Sequence, residues 1–142
     1  MAITQALCTS FKLQLLNGEA DFSSNTGKVY KIALYTSSAD LDATTTAYST
    51  TNESVGSGYT AGGNALTGIT TTVSGTTAFV DFSDVTWENA SLTARGALIY
   101  EVTSGNPAVA VLNFGEDKTS TSGNFVVQFP AATAANAIIR VI

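Results

Sequence analysis

The chain has 142 residues, 44 % of them apolar, which suits one domain with a sizeable core and excludes a disordered chain. Only 12 % are charged, about half of what is usual in soluble domains. The net charge of −5 and six scattered bases (Lys12, Lys28, Lys31, Arg95, Lys118, Arg140) exclude a nucleic-acid surface. No apolar run approaches the roughly 18 residues of a membrane-spanning helix. Thr, Ser and Gly fill the polar positions, a composition that suits Thr-lined strands and surface hidden in an assembly, since interface cores are poor in charge.

In chain order, Leu7, Phe11 and Leu15 recur at intervals of four. This predicts a helix within residues 1–18, N-capped by Thr4 and stopped at Asn17-Gly18. The alternation of Phe11, Leu13 and Leu15 offers a strand as the competitor. Cys8, the single cysteine, has no disulfide partner and reads as a small buried hydrophobe. No basic and apolar leader precedes it, so a lipoprotein cleavage site is set aside and neither export nor anchoring is expected. A loop is expected at Asp21–Gly27, then a strand over Val29–Tyr35.

Residues 37–63 form a polar segment too long for a simple connection. It ends in Gly56-Ser57-Gly58-Tyr59-Thr60-Ala61-Gly62-Gly63, where glycine supplies backbone freedom. Leu41, Tyr48 and Tyr59 are its spaced anchors and the candidate interface residues, since aromatic anchors tend to dominate interface energy. The rival reading is that the segment wraps its own sandwich. Gly56-Ser57-Gly58 is not a dinucleotide fingerprint, because no strand precedes it and no helix follows.

Strands are then expected at Leu66–Val73 and Thr77–Phe82, turned by Ser74-Gly75 and paired as a hairpin. Asp84–Asn89 reads as a connector anchored by Trp87. The organising element is a second hairpin. Its arms lie at Ala97–Thr103 and Ala108–Leu112, and its turn is Ser104-Gly105-Asn106-Pro107. A polar loop at Gly115–Gly123, a strand over Phe125–Phe129, a turn over Ala131–Asn136 and a closing strand at Ala137–Ile142 complete the chain. About eight short strands and one leading helix predict a single all-β domain over 1–142, an antiparallel β-sandwich of jelly-roll type.

The chain contains no histidine, which removes Ser-His-Asp and Cys-His catalysis and histidine metal sites. Any chemistry would fall to carboxylates: Asp40 with Asp42, Asp81 with Asp84 and Glu88, or Glu116 with Asp117. Such pairs can hydrolyse glycosides or hold Ca²⁺. Here they fall in turns, where acids serve as caps, so no catalytic residue, metal or cofactor is expected.

Several segments together resemble small virion proteins of tailed bacteriophages: KIALYTSSADL, TTAYSTTNESVGSGYTAGG, DVTWENASLTARGALIY, AVAVLNFGEDK and the closing AIIRVI. They cover most of the chain after Lys31. The resemblance implies a structural role without catalysis, as a head decoration (cement) protein made in the host cytoplasm and placed on the capsid exterior. The partners it implies are the major capsid protein and further copies of the chain, as a dimer or trimer. The alternative is a tail-associated or adhesive β module that binds a host glycan through Tyr48, Tyr59 or Trp87.

Overall fold

The computed structural model describes residues 2–23 and 28–142. Part of the loop expected at Asp21–Gly27 therefore lies outside the described residues. The elements are β1 (Ala6–Leu7), α1 (Thr9–Leu16), β2 (Tyr30–Tyr35), β3 (Asn64–Ala65), β4 (Thr70–Ser74), β5 (Thr77–Asp81), β6 (Val85–Glu101), β7 (Ala108–Val127) and β8 (Ile139–Val141). The fold is all-β and sandwich-like. A five-stranded antiparallel sheet has the order β1-β7-β6-β2-β3, and a three-stranded one the order β4-β5-β8.

The central hairpin is the core of the larger sheet, as the sequence predicts. Leu98 opposes Val111 and Ile99 opposes Ala110, and Leu98, Ile99 and Val111 are fully buried. Near-continuous apolar arms suit strands covered on both faces. Gly105 (φ 84°) and Asn106 (φ 44°) turn the chain, and the Glu101 amide donates to the Pro107 carbonyl across the turn at 2.9 Å. Only residues tolerant of the left-handed region fit there.

The arms are much longer than the sequence suggests. The expected connector Asp84–Asn89 lies largely within β6, and the expected loop Gly115–Gly123 lies within β7. Trp87 opposes Phe125, Leu92 opposes Ser120 and Ala94 opposes Lys118. Register shifts around Ala90, Leu92 and Gly96 bend the ribbon, and Asn89 sits at φ 49° in the first of them. Bulges bend a strand and raise its twist. A Thr/Ser/Gly-rich run therefore forms a strand because its partner supplies the ladder and Val85, Trp87, Ala90, Leu92 and Ala94 supply the buried face.

The N-terminus also departs from expectation. The helix begins at Thr9, with Cys8 as its N-cap in extended conformation, rather than at Thr4. The Thr4 amide instead donates to the Leu41 carbonyl at 2.8 Å, and Ala6 and Leu7 pair with Val111 and Ala110. The β7 edge captures this backbone before it can coil, so tertiary pairing overrides the four-residue pattern. Phe11 alone of the helix is buried, whereas Leu13 and Leu16 are exposed. The predicted stop holds: the Asn17 amide reaches the Leu13 carbonyl and Gly18 takes φ 71°.

The strand expected at Leu66–Val73 divides. Asn64–Ala65 pairs with β2, Leu66 is buried, and β4 starts only at Thr70. The β4–β5 hairpin and its Ser74-Gly75 turn form as expected, and β8 adds to β5. Val80, Phe82 and Ile139 carry the smaller sheet into the same apolar core as Ile32, Leu98 and Val111.

Candidate functional site: a carboxylate clasped by tyrosines

The polar segment 37–63 carries no named strand, yet it is fixed to the large sheet by isolated bridges. Tyr35 pairs with Glu53, Ala47 with Pro107, and Ser57 with Ser91. The Ser54 amide donates to the Leu34 carbonyl at 2.8 Å, and its hydroxyl to the Thr93 carbonyl at 2.7 Å. The glycines permit this approach. A Cβ on Gly56 would stand 2.0 Å from the Ser91 carbonyl oxygen, and one on Gly63 would stand 1.8 Å from that of Ile32.

At the centre of the segment lies Glu53, 8 % exposed. Its Oε1 accepts the Tyr48 hydroxyl at 2.7 Å. Its Oε2 accepts the Tyr59 hydroxyl and the Gly62 amide, the latter at 2.8 Å. Tyr59 in turn accepts the Leu34 amide at 2.9 Å, and Tyr100 donates to the Gly62 carbonyl at 2.7 Å. Tyr48 stacks on Tyr100 with centroids 4.6 Å apart and planes at 15°. A nearly buried carboxylate is tolerable only when donors replace its water, and here two phenols and an amide do so.

The clasp holds its phenols protonated. Burial raises the pKa of Tyr59 and of Tyr48, and in both the hydrogen bond to Glu53 and its charge add to the rise. Tyr35, whose hydroxyl donates to the Ser49 carbonyl at 2.6 Å, is raised chiefly by burial, as is Tyr100. A second buried carboxylate, Glu101, accepts from Lys28 Nζ at 3.2 Å, from the Tyr30 hydroxyl at 3.2 Å and from the Thr103 hydroxyl at 3.0 Å. It ties the turn of the central hairpin to the start of β2.

The three candidate interface residues divide. Tyr48 and Tyr59 meet at Glu53, with their hydroxyls spent inside the chain. Leu41 is 8 % exposed and bridges Ile3 instead. Trp87 is 3 % exposed and packs against Tyr59 and Phe125 with centroids 5.9 and 6.2 Å away. Of the three aromatic rings raised as sugar platforms, Trp87 is buried and Tyr48 and Tyr59 are half-buried.

The carboxylates expected in turns divide: Asp40, Asp42 and Asp84 lie outside the strands, whereas Asp81 ends β5, Glu88 lies in β6 and Glu116 and Asp117 lie in β7, because strand pairing takes up the residues expected as connector and loop. Asp42 caps its own turn by accepting the Thr44 amide at 2.8 Å, and bonds from Thr44 hold its carboxyl below the usual range. Asp84 accepts the Phe129 amide at 3.0 Å. Glu116 pairs with Lys118 at 2.8 Å and Asp117 with Arg95 at 2.9 Å, both exposed and worth little. Among the described residues no three of His, Cys, Asp and Glu gather as a metal site.

Sequence reasoning missed Glu53 itself. A signal was present: one acid in a long uncharged run, flanked by Tyr48 and Tyr59. No protein-family model, no curated protein and no solved structure matches the chain.

Proposed function

We propose that the chain is a structural component of a tailed-bacteriophage virion, a decoration protein that binds the outer face of the capsid and links neighbouring capsomers. The observation that carries this reading is the use made of the two buried carboxylates. Glu53 and Glu101 are saturated by tyrosine hydroxyls, a lysine, a threonine and a backbone amide of the same chain. In a chain without histidine, acids are the leading candidates for acid–base chemistry, and the buried ones are committed to fastening.

The segments that resemble phage virion proteins are the ones that build this fastened body. KIALYTSSADL supplies β2, TTAYSTTNESVGSGYTAGG supplies the Glu53 clasp, DVTWENASLTARGALIY supplies β6, AVAVLNFGEDK opens β7 and AIIRVI contains β8. Many copies bound to a shell stabilise it through multivalency, and through mass action because they bind only the assembled state. The partner in this reading is the major capsid protein.

The test is placement. Purified chain is mixed with undecorated heads of a phage that encodes it, and the heads are sedimented and imaged by cryo-electron microscopy. Saturable co-sedimentation with density on the outer shell is expected. Chain that stays in the supernatant, or density confined to the tail, overturns the proposal.

A further inference from the structure

We infer that β4 is a homodimerisation edge, along which two copies of the chain pair antiparallel about a two-fold axis through Thr72. The inference does not rest on the capsid reading.

An open strand edge is a template for another strand, and proteins blunt such edges with charge, proline or bulges. The outer edge of β7 carries Glu116, Asp117 and Lys118, together with kinks at Gly115 (φ 83°) and Ser122 (φ 47°). The outer strand β8 is three residues long and carries Arg140. β4 has none of these. It is the terminal strand of its sheet, all five of its residues are exposed, and no charged residue stands between Glu53 and Asp81.

Its free backbone groups can be assigned. Gly75 (φ 60°) and Thr76 form a two-residue loop with positive φ at the first position only, the II′ pattern. Ser74 and Thr77 therefore close the ladder as a hydrogen-bonded pair, and alternation turns the amides of Thr71 and Val73 away from β5. A two-fold axis through Thr72 sets Thr71 of each copy opposite Val73 of the other, so these outward groups satisfy one another.

The side chains agree with that register. On one face Val73, Ala78 and Val141 form a row across the three strands, beside the row Thr71, Val80 and Ile139. Val80 and Ile139 are buried, but Val73 is 69 % and Val141 is 55 % exposed. Pairing about Thr72 runs the exposed row of one copy into the Thr71–Val80–Ile139 row of the other, which covers Val73. Because the contact is isologous it closes on itself, uses both β4 edges and leaves β8 outermost. An uncharged edge meets its own copy without repulsion.

The experiment is sedimentation velocity at high micromolar concentration, combined with cysteine crosslinking. Wild type is expected to be dimeric. Thr71→Pro removes an outward amide without touching the β5 ladder, and Val73→Lys adds charge; both are expected to be monomeric with unchanged circular dichroism. Cross-strand neighbours come close enough for a disulfide, and Cys8 is buried and does not compete. Under mild oxidation Thr72→Cys is expected to crosslink to its own copy. Ser74→Cys is expected to crosslink only when mixed with Thr70→Cys. A monomeric wild type, a dimer that survives both edge variants, or Thr72→Cys that does not crosslink overturns the inference.

Discussion

Glu53 and Tyr59 lie six residues apart, and the tyrosine hydroxyl closes that interval by donating to the carboxylate Oε2. The same tyrosine oxygen accepts the Leu34 amide of β2, so one side chain joins the loop to itself and to the sheet. We expect Tyr59→Phe to cost about 2 kcal/mol, the usual worth of a buried hydrogen bond to a charged group. Glu53→Ala should cost more, roughly 3 kcal/mol, because it leaves two phenols and an amide without their acceptor. In a urea-unfolding double-mutant cycle the pair should couple strongly. Additive losses would show that the contact contributes nothing of its own.

The phenols set an alkaline limit. Their folded pKa values are raised above the ordinary value of about 10. The folded state therefore binds protons that the unfolded state releases once pH passes about 10. Stability from these groups is complete below pH 10 and falls as pH rises above it. Absorbance titration should show phenolate appearing together with loss of the circular dichroism signal, and Tyr59→Phe should weaken that coupling. Ionisation of Tyr59 at pH 10 in intact protein would contradict the clasp.

How far the sequence discloses this molecule depends on whether a signal is local. The turn at Gly105-Asn106, the β4–β5 hairpin and the stop at Asn17-Gly18 are legible because each depends on a few adjacent residues whose backbone freedom decides the conformation. Gly115–Gly123 is misread because Thr, Ser and Gly have no inward preference alone; pairing with β6 more than twenty residues away makes them a strand. The helix start is misread for the same reason, since the β7 edge competes for Ala6 and Leu7. Glu53 looks like a solvated loop acid until the fold brings Tyr48, Tyr59 and Gly62 around it.

Cys8 should be inert in the folded state. It is fully buried, and burial, with a smaller contribution from the charge of Asp42, pushes its thiol up to about 11. At pH 8 only about one thiol in a thousand is ionised at such a pKa, and the thiolate is the reactive form. A maleimide or disulfide reagent should label it only as fast as the chain unfolds. Labelling at the rate of an exposed thiol under native conditions would show that the β1–α1 junction opens locally.

Leu98 and Val111 face each other across the central hairpin, both fully buried. We expect Leu98→Ala or Val111→Ala to cost roughly 2–4 kcal/mol, the transfer term plus the cavity left in a core that cannot collapse. Because each truncation opens space beside the other, the double variant should lose less than the sum of the singles. A loss below about 0.5 kcal/mol, typical of surface sites, would place the hairpin outside the core.

Hydrogen exchange of residues 37–63 decides between the two readings of that segment. A loop held for a partner alone would pay its ordering cost on binding and exchange freely beforehand. The geometry gives it partners already: the Thr36 amide donates to the Asn52 carbonyl at 3.0 Å, Ser54 to Leu34 at 2.8 Å, and Gly62 to Glu53 at 2.8 Å. The Ser54 amide is tied directly to β2, the neighbour of β6 in the core sheet, and Glu53, which holds Gly62, bridges Tyr35 of the same strand. The protection of these amides in the isolated protomer should therefore approach that of the sheet, since local opening must break the clasp first. Glu53→Ala should release Ser54 and Gly62 together while the amides of Leu98 and Val111 stay protected. Rapid exchange of Ser54 and Gly62 in the wild-type protomer, slowed only when a partner binds, would show that the clasp forms on assembly, with Tyr48 and Tyr59 serving the interface first.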